Sequence, residues 1–325
     1  MAFLWAGSMT DKFNEGRNVI DLSGHPGNAQ PDISELVSYP EDEPTKEAEP
    51  AEEPEETATP EVESSLNVLL LGSDIRPEAV GTNDARSDTI MVAHLPQDRD
   101  SIQILSLPRD MWVPIPGHGN GRINSAFQKG GAGLTMATIE DLFNITIDHV
   151  VMVDFDGFAE LTTALDGVTV NNPQTFTATH GPETTFHEGE ITLEGDQALQ
   201  YVRERRAFPD SDLTRVQNQQ RVVRAVVDEL LSSDTLTNPG RMEDVLDTML
   251  PHLSMDEDLT AERIIQYGLE STDLRPENIT SFTVPTNGSF ITPAGADVLA
   301  TDDQALADIT QAFREGTLDE YAETQ

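Results

Sequence analysis

Residues 66–110 read LNVLLLGSDIRPEAVGTNDARSDTIMVAHLPQDRDSIQILSLPRD, and the fold turns on this stretch. Three runs rich in Val, Ile and Leu, Asn67–Leu71, Thr89–Leu95 and Ile102–Leu107, are each bounded by turn residues and predict three strands. The first leaves through Gly72-Ser73-Asp74-Ile75-Arg76. The second begins just after Arg86-Ser87-Asp88 and turns at Pro96–Asp100, and the third ends in Pro108-Arg109-Asp110. Sequential neighbours in up-down-up order would bring these ends to one edge of a sheet. Asp74, Arg76, Arg86, Asp88, Arg109 and Asp110 would then converge there. Carboxylates offer hard oxygens to a cation, and guanidiniums offer planar forks to phosphate, so this set suits a magnesium-bound phosphate ester.

The charge of the chain sharpens that reading. Over 325 residues the formal net charge is −40. The segment Glu41–Glu63 holds eleven acids and one base, Lys46, so it contributes −10, and −40 − (−10) leaves −30 on the remainder. Lysine occurs only at Lys12, Lys46 and Lys129. An acidic, lysine-poor surface suggests a salt-adapted source and argues against nucleic-acid binding, which needs a basic face. Arginines that cluster on such a background carry information. Cysteine is absent, which excludes disulfides, a thiolate nucleophile and Cys-ligated zinc. The seven histidines fall outside the arginine clusters and lack HxxxH spacing, so a zinc site is not expected.

Upstream of the quoted stretch, Met1–Met9 is apolar, too short to span a bilayer, and without a basic n-region. It reads either as a frayed terminus or as the end of a membrane helix whose beginning is missing. Residues 41–65, EDEPTKEAEPAEEPEETATPEVESS, cannot bury a core and predict an extended, disordered spacer. Downstream, apolar spacing predicts a helix over 134–143, a strand within 145–155, a helix over 155–165 and a strand at 168–170. A loop-rich region with a hairpin follows over 171–190, then a helix over 193–203. The longest helix is expected over 213–231, with Val216, Val223, Val226, Val227, Leu230 and Leu231 as its core stripe. Helices over 241–250, 260–269 and 302–313 and a strand over 279–284 are assigned to the same domain. The last residues read as a tail.

A second arginine group lies between two of these helices: Tyr201-Val202-Arg203-Glu204-Arg205-Arg206, then Asp212, Arg215 and Gln219. Arg215 and Gln219 are spaced i, i+4 on one helix face. The group reads either as ion pairs to surface acids, with Asp212 a helix cap, or as a guanidinium fork for a diphosphate.

With these motifs in place, the sequence resembles the LytR-CpsA-Psr family of cell-wall glycopolymer transferases. The resemblance is carried, in order, by LLLGSDIR (69–76), RSDTIMV (86–92), SLPRDMWV (106–113) and RINSAFQKGG (122–131). DFDGFAELTTALDGVTV (154–170), LEGDQALQYVRERR (193–206) and DLTRVQNQQRVV (212–223) continue it. Departures are mild: Arg122 stands where lysine is usual, Asp166 and Thr214 where glycine is usual, and Asn218 where arginine is frequent.

The resemblance implies a three-layer α/β/α sandwich with a mixed central sheet, as a single main domain. It divides the chain into 1–10, a remnant of an N-terminal membrane helix; 11–65, a disordered acidic Glu/Pro linker; 66–314, the catalytic domain; and 315–325, a tail. It implies a membrane-anchored protein on the extracytoplasmic face of the cell membrane. Such a protein moves a glycopolymer from a polyprenyl-pyrophosphate carrier onto peptidoglycan, forming a phosphodiester and releasing polyprenyl phosphate. By motif, Asp74 and Asp88 would hold Mg²⁺ (or Mn²⁺), and Arg76, Arg86, Arg109, Arg203, Arg205 and Gln219 the pyrophosphate. Asp110, Arg122, Asp212 and Arg215 are further candidates, with Asp74, Asp88, Arg109 and Asp110 nearest the chemistry. Two other readings stay open: a polyprenyl-pyrophosphate phosphatase, and a non-catalytic binder of the lipid carrier that regulates wall assembly.

Overall fold

In the computed structural model, which describes residues 10–22, 25, 65–73, 87–209, 212–230, 239–271 and 274–324, the three predicted strands form side by side. They sit within one mixed seven-stranded sheet. Its spatial order is Asn18–Val19 (β1), Leu253–Met255 (β12), His149–Asp154 (β7), Leu66–Ser73 (β2), Ser87–Leu95 (β3), Ile102–Ser106 (β4) and Ile279–Thr283 (β13). β2, β3 and β4 run antiparallel in sequence order, as predicted. β7 lies parallel to β2 on one side, and β13 parallel to β4 on the other.

The period-2 pattern of these strands separates two cores. Leu69 and Leu71, Ile90 and Val92, Leu105, and Val150 and Met152 point to one face. The helix Asn124–Phe143 (α2, counting residues 10–16 as α1) covers them, with Asp303–Glu315 (α8) and Leu318–Glu323 (α9). Leu70, Met91 and Ile104 alternate to the opposite face and meet Val223 and Val227 of Asp212–Leu230 (α5). This is the α/β/α sandwich the sequence implied. Phe155–Ala164 (α3), Gly195–Arg203 (α4), α5 and Pro239–Met249 (α6) share a further apolar cluster with the ribbon Val168–Asn172 (β8) and Gly189–Leu193 (β11).

Several expectations are corrected. The helix expected from Leu134 already starts at Asn124, and its 20 residues slightly exceed the 19 of α5. It is broken at Gly130 and Gly131, and Gly131 (φ 63°, ψ −154°) occupies a region open essentially to glycine alone. The apolar stripe read for α5 is displaced: Val222 and Ala225 are its buried apolar residues alongside Val216, whereas Val223, Val226, Val227 and Leu230 are half-buried and Leu231 lies outside the described residues. α5 packs against two clusters at once, which a single stripe does not capture. In the loop-rich region, Phe176–Thr177 (β9) and Thr185–Phe186 (β10) pair as a hairpin. Phe176 anchors it, with ring centroids 5.0 Å from Phe186, 5.6 Å from Tyr201 and 4.7 Å from Phe208.

Two segments flanking the sandwich, residues 10–22 and 318–323, are more ordered than their composition suggested. The linker reading of 11–65 fails over its first part, because residues 10–22 are fastened to the domain. Phe13 is buried, β1 pairs parallel with β12, and Asn14 Oδ1 accepts from Ala261 N at 3.0 Å. Arg17 donates to the carbonyls of Leu259 (2.6 Å) and Glu257 (2.8 Å). The anchors are polar side chains reaching main-chain groups far away in sequence, which leave no local signal. The C-terminal tail is likewise a helix, α9. Leu318 is buried, and Tyr321 packs on Phe282 with centroids 5.3 Å apart. No described helix is long and apolar enough to cross a membrane; Met1–Met9 and residues 41–64 lie outside the described residues.

Candidate functional site

At the edge where β2 and β4 end and β3 begins, the main chain is pinned before any charged side chain is considered. Ser87 is fully buried, and its hydroxyl lies 2.7 Å from Thr89 O and 3.2 Å from Gly72 O, bridging the register shift between β2 and β3. That bridge fixes where Asp88 leaves the strand. Beyond β4, Met111 N donates to Pro108 O (3.0 Å), Asn124 N to Arg109 O (3.2 Å) and Leu299 N to Asp110 O (2.9 Å). The Arg109–Asp110 turn is therefore held by α2 on one side and by Asp297–Thr301 (β15) on the other.

On this frame the charges form a chain. Arg109 Nη1 donates to Asp88 Oδ1, and Arg215 Nη1 lies 3.9 Å from the same oxygen. Arg109 Nε lies 3.6 Å from Asp110 Oδ2, and Arg122 Nε 3.3 Å from Asp110 Oδ1. Arg122 also donates to Asp297 O at 2.7 Å. The ribbon of Trp112–Ile115 (β5) and Gly119–Arg122 (β6) brings Arg122 back over Asp110. Among the described residues, three guanidiniums thus surround two carboxylates, in a chain of net charge −40. Arg215 is buried on α5, and long-range packing of α5 against the sheet carries it to Asp88. Asp74, Arg76 and Arg86 lie outside the described residues, as does the Asp212 side chain.

The second arginine group reaches the same edge by another route. Ser73, at the end of β2, is in register with Asp154, at the end of β7. Phe155 follows, and the Arg203 guanidinium stacks on its ring 4.6 Å from the centroid. Arg203 and Arg205 are exposed and make no ion pair among the described residues, although the chain carries 59 Asp and Glu. Gln219 sits one turn beyond Arg215, buried, with its amide 3.4 Å from Val202 O at the end of α4.

The residue that sequence reasoning missed is Glu204, between those arginines. It is fully buried and accepts from Thr179 N (2.6 Å), Thr179 Oγ1 (3.0 Å), Arg205 N (2.9 Å) and Ala207 N (3.0 Å). Burial pushes its pKa up, but hydrogen bonds from Thr179 and Ala207 outweigh burial and hold it below the ordinary carboxylate range. Glu204 is thus an ionised clamp that joins the β9–β10 hairpin to the Arg203–Ala207 turn. An acid inside an Arg-Glu-Arg-Arg run reads as a surface ion pair, so its burial left no sequence signal.

A hard cation fits the described carboxylates in a limited way. Asp88 Oδ2 has no partner among the described residues, so one oxygen is open. No group of three or more acids or histidines among the described residues could hold an ion alone. Mg²⁺ suits such a place, because it binds through one or two carboxylates and completes its shell with water and phosphate oxygens.

The model of the LytR_cpsA_psr family matches residues 36–315. The polyisoprenyl-teichoic acid–peptidoglycan teichoic acid transferase TagU of Oceanobacillus iheyensis is 37% identical over 202 residues, 60% of this chain and 61% of its own length. The chain therefore matches less than two thirds of that relative. Among solved structures, TagV of B. subtilis superimposes with a TM-score of 0.67 at 23% identity, covering 79% of this chain and 98% of that one, which speaks to fold. TagT bound to LI-WTA superimposes with a TM-score of 0.59 at 28% identity, covering 78% and 90%.

Proposed function

Because this chain belongs to the LytR_cpsA_psr family, we propose that it transfers a glycopolymer from a polyprenyl-pyrophosphate carrier to peptidoglycan. The observation that carries the reading is Asp88, held between Arg109 and the buried Arg215 at the sheet edge. In the reaction, an acceptor hydroxyl oxygen attacks the glycan-bearing phosphorus. The bridging P–O bond breaks, a phosphodiester forms, and polyprenyl phosphate leaves.

Arg109, Arg122 and Arg215 stabilise the charge that moves onto the phosphate oxygens as the bridge breaks. Arg203 and Arg205, with Arg76 and Arg86, orient the pyrophosphate, and Gln219 fixes the position of α4 against α5. Asp110, the rim carboxylate not assigned to a metal, takes the proton of the acceptor hydroxyl. Mg²⁺ or Mn²⁺ held by Asp74 and Asp88 would supply further neutralisation of the pyrophosphate. TagU acts, by its name, on polyisoprenyl-teichoic acid and peptidoglycan; the same substrate classes, and a membrane-anchored position outside the cell, belong to this proposal.

The test follows the products released from a polyprenyl-pyrophosphate-linked glycan with Mg²⁺ or with EDTA. Metal-dependent cleavage that is lost in Arg109→Ala and coupled to added peptidoglycan oligomers supports transfer. Equal cleavage with and without acceptor identifies a phosphatase, which would use the same charged rim. Binding of the lipid with no cleavage under either condition overturns both enzymatic readings in favour of a carrier binder.

A further inference from the structure

Beside Asp110 and Arg122 lies an aromatic pair that the transferase reading leaves unused. Trp112 stands opposite Arg122 across the β5–β6 ribbon, so the two side chains leave the same face. Met111 and Val113, its neighbours along the chain, are fully buried. Strand alternation therefore turns Trp112 outward, where it is half-buried. Its indole meets Phe290 of Thr286–Ile291 (β14) edge to face, with centroids 6.4 Å apart and planes at 85°. Phe290 is 39% exposed, and the indole N–H has no hydrogen bond among the described residues.

The pair is fixed in place, because the hydrogen bonds from Leu299 N to Asp110 O and from Arg122 to Asp297 O tie the β14–β15 hairpin to the charged turn. A single exposed aromatic is ordinary. An ordered pair continuous with a phosphate-binding rim is a surface shaped for a ligand.

Its chemistry selects the ligand. An open π face attracts the polarised C–H bonds of a pyranose ring. The paired side chains of Asp110 and Arg122, both partly exposed, and the indole N–H offer polar groups of the kind that bond sugar hydroxyls. A polyanionic chain would be repelled beyond the arginine rim, where exposed Asp297 adjoins a protein of net charge −40. We propose that Trp112 and Phe290 form the acceptor-sugar subsite, which binds a neutral pyranose of the acceptor glycan and presents its hydroxyl to the rim. The inference rests on the transferase reading for its role in catalysis, but the binding itself is measurable without it.

The chain has two tryptophans, Trp5 and Trp112, so a Trp5→Phe background makes the emission report Trp112 alone. In that background the full chain is titrated with a neutral β-linked N-acetylhexosamine tetrasaccharide and, separately, with polyglycerol phosphate. The expected result is a saturable emission change with the tetrasaccharide, weakened about tenfold by Phe290→Ala and retained by Phe290→Tyr. If Phe290→Ala loses its circular-dichroism signature, Phe290→Leu carries the same expectation, since it keeps an apolar side chain of intermediate size and removes the π face. No saturable change, unaltered affinity in the variant, or tighter binding of the polyanion overturns the subsite. No lipid substrate enters this titration. A chain that binds the sugar yet cleaves no polyprenyl pyrophosphate therefore overturns the transferase reading alone.

Discussion

Arg109 touches both carboxylates of the described rim, and no other described side chain does. Arg109→Ala should therefore lower transfer by about 10²–10³-fold, the usual loss for one well-placed donor to developing charge. Arg109→Lys should recover only part of it, because an ammonium cannot span Asp88 and Asp110 as a planar fork does; initial rates at saturating lipid would show this. At the opposite edge of the sheet, His94 is buried, in hydrogen-bond contact with Asn67 Oδ1 at 2.7 Å, and edge-on to Phe313. Burial, helped by Arg99, pushes its pKa from 6.5 down to about 4. Between those values the unfolded chain binds the proton and the folded chain does not, so stability rises with pH across the window. The contribution is full above about pH 6.5 and is lost as pH falls towards 4, by at most ~3 kcal/mol. Denaturant titrations from pH 7.5 to 4.5 should show a steeper loss in the natural protein than in His94→Gln.

Elements escaped sequence reading for opposite reasons. The Gly130–Gly131 break in α2 is a local feature whose consequence is not local, since it redirects the helix so that both halves stay on the sheet. Gly131→Ala should cost about 1–3 kcal/mol, because the alanine would be forced into a glycine-only conformation; chemical denaturation measures it directly. α9 has the converse character, a short polar-looking stretch ordered by one buried residue. Leu318→Ala should destabilise by about 2–5 kcal/mol, and a chain ending at Gly316 should melt lower still. An unchanged melting temperature in either would return the C-terminus to the status of a tail. The segment 10–22 is an element of the same kind: Asn14 and Arg17 hold it by side chain-to-backbone bonds that no periodicity announces.

For the whole molecule, charge dominates. The screening length shrinks from ~30 Å at 0.01 M salt to ~3 Å at 1 M, so self-repulsion among acidic groups should fall and the melting temperature rise across that range. Glu41–Glu63 contributes −10 of the −40, so deleting it should leave most of the salt response in place. A melting temperature flat from dilute buffer to molar salt would contradict a salt-adapted surface.

The sequence by itself determined the sheet's centre, the alternation that builds two cores, the order of most helices, and the family. Those signals repeat with the period of the local backbone, 2 in β2, β3 and β4 and 3.6 in α5, and therefore survive in one dimension. It also placed Asp88, Arg109 and Asp110 on one edge, since antiparallel neighbours leave little choice. Only the tertiary structure set Arg215 beside Asp88, buried Glu204 as an anchor, opposed Trp112 to Phe290, and fastened residues 10–22 and α9 to the domain. Each of these depends on contacts between segments distant in sequence, and one side chain meeting a remote partner has no period to read.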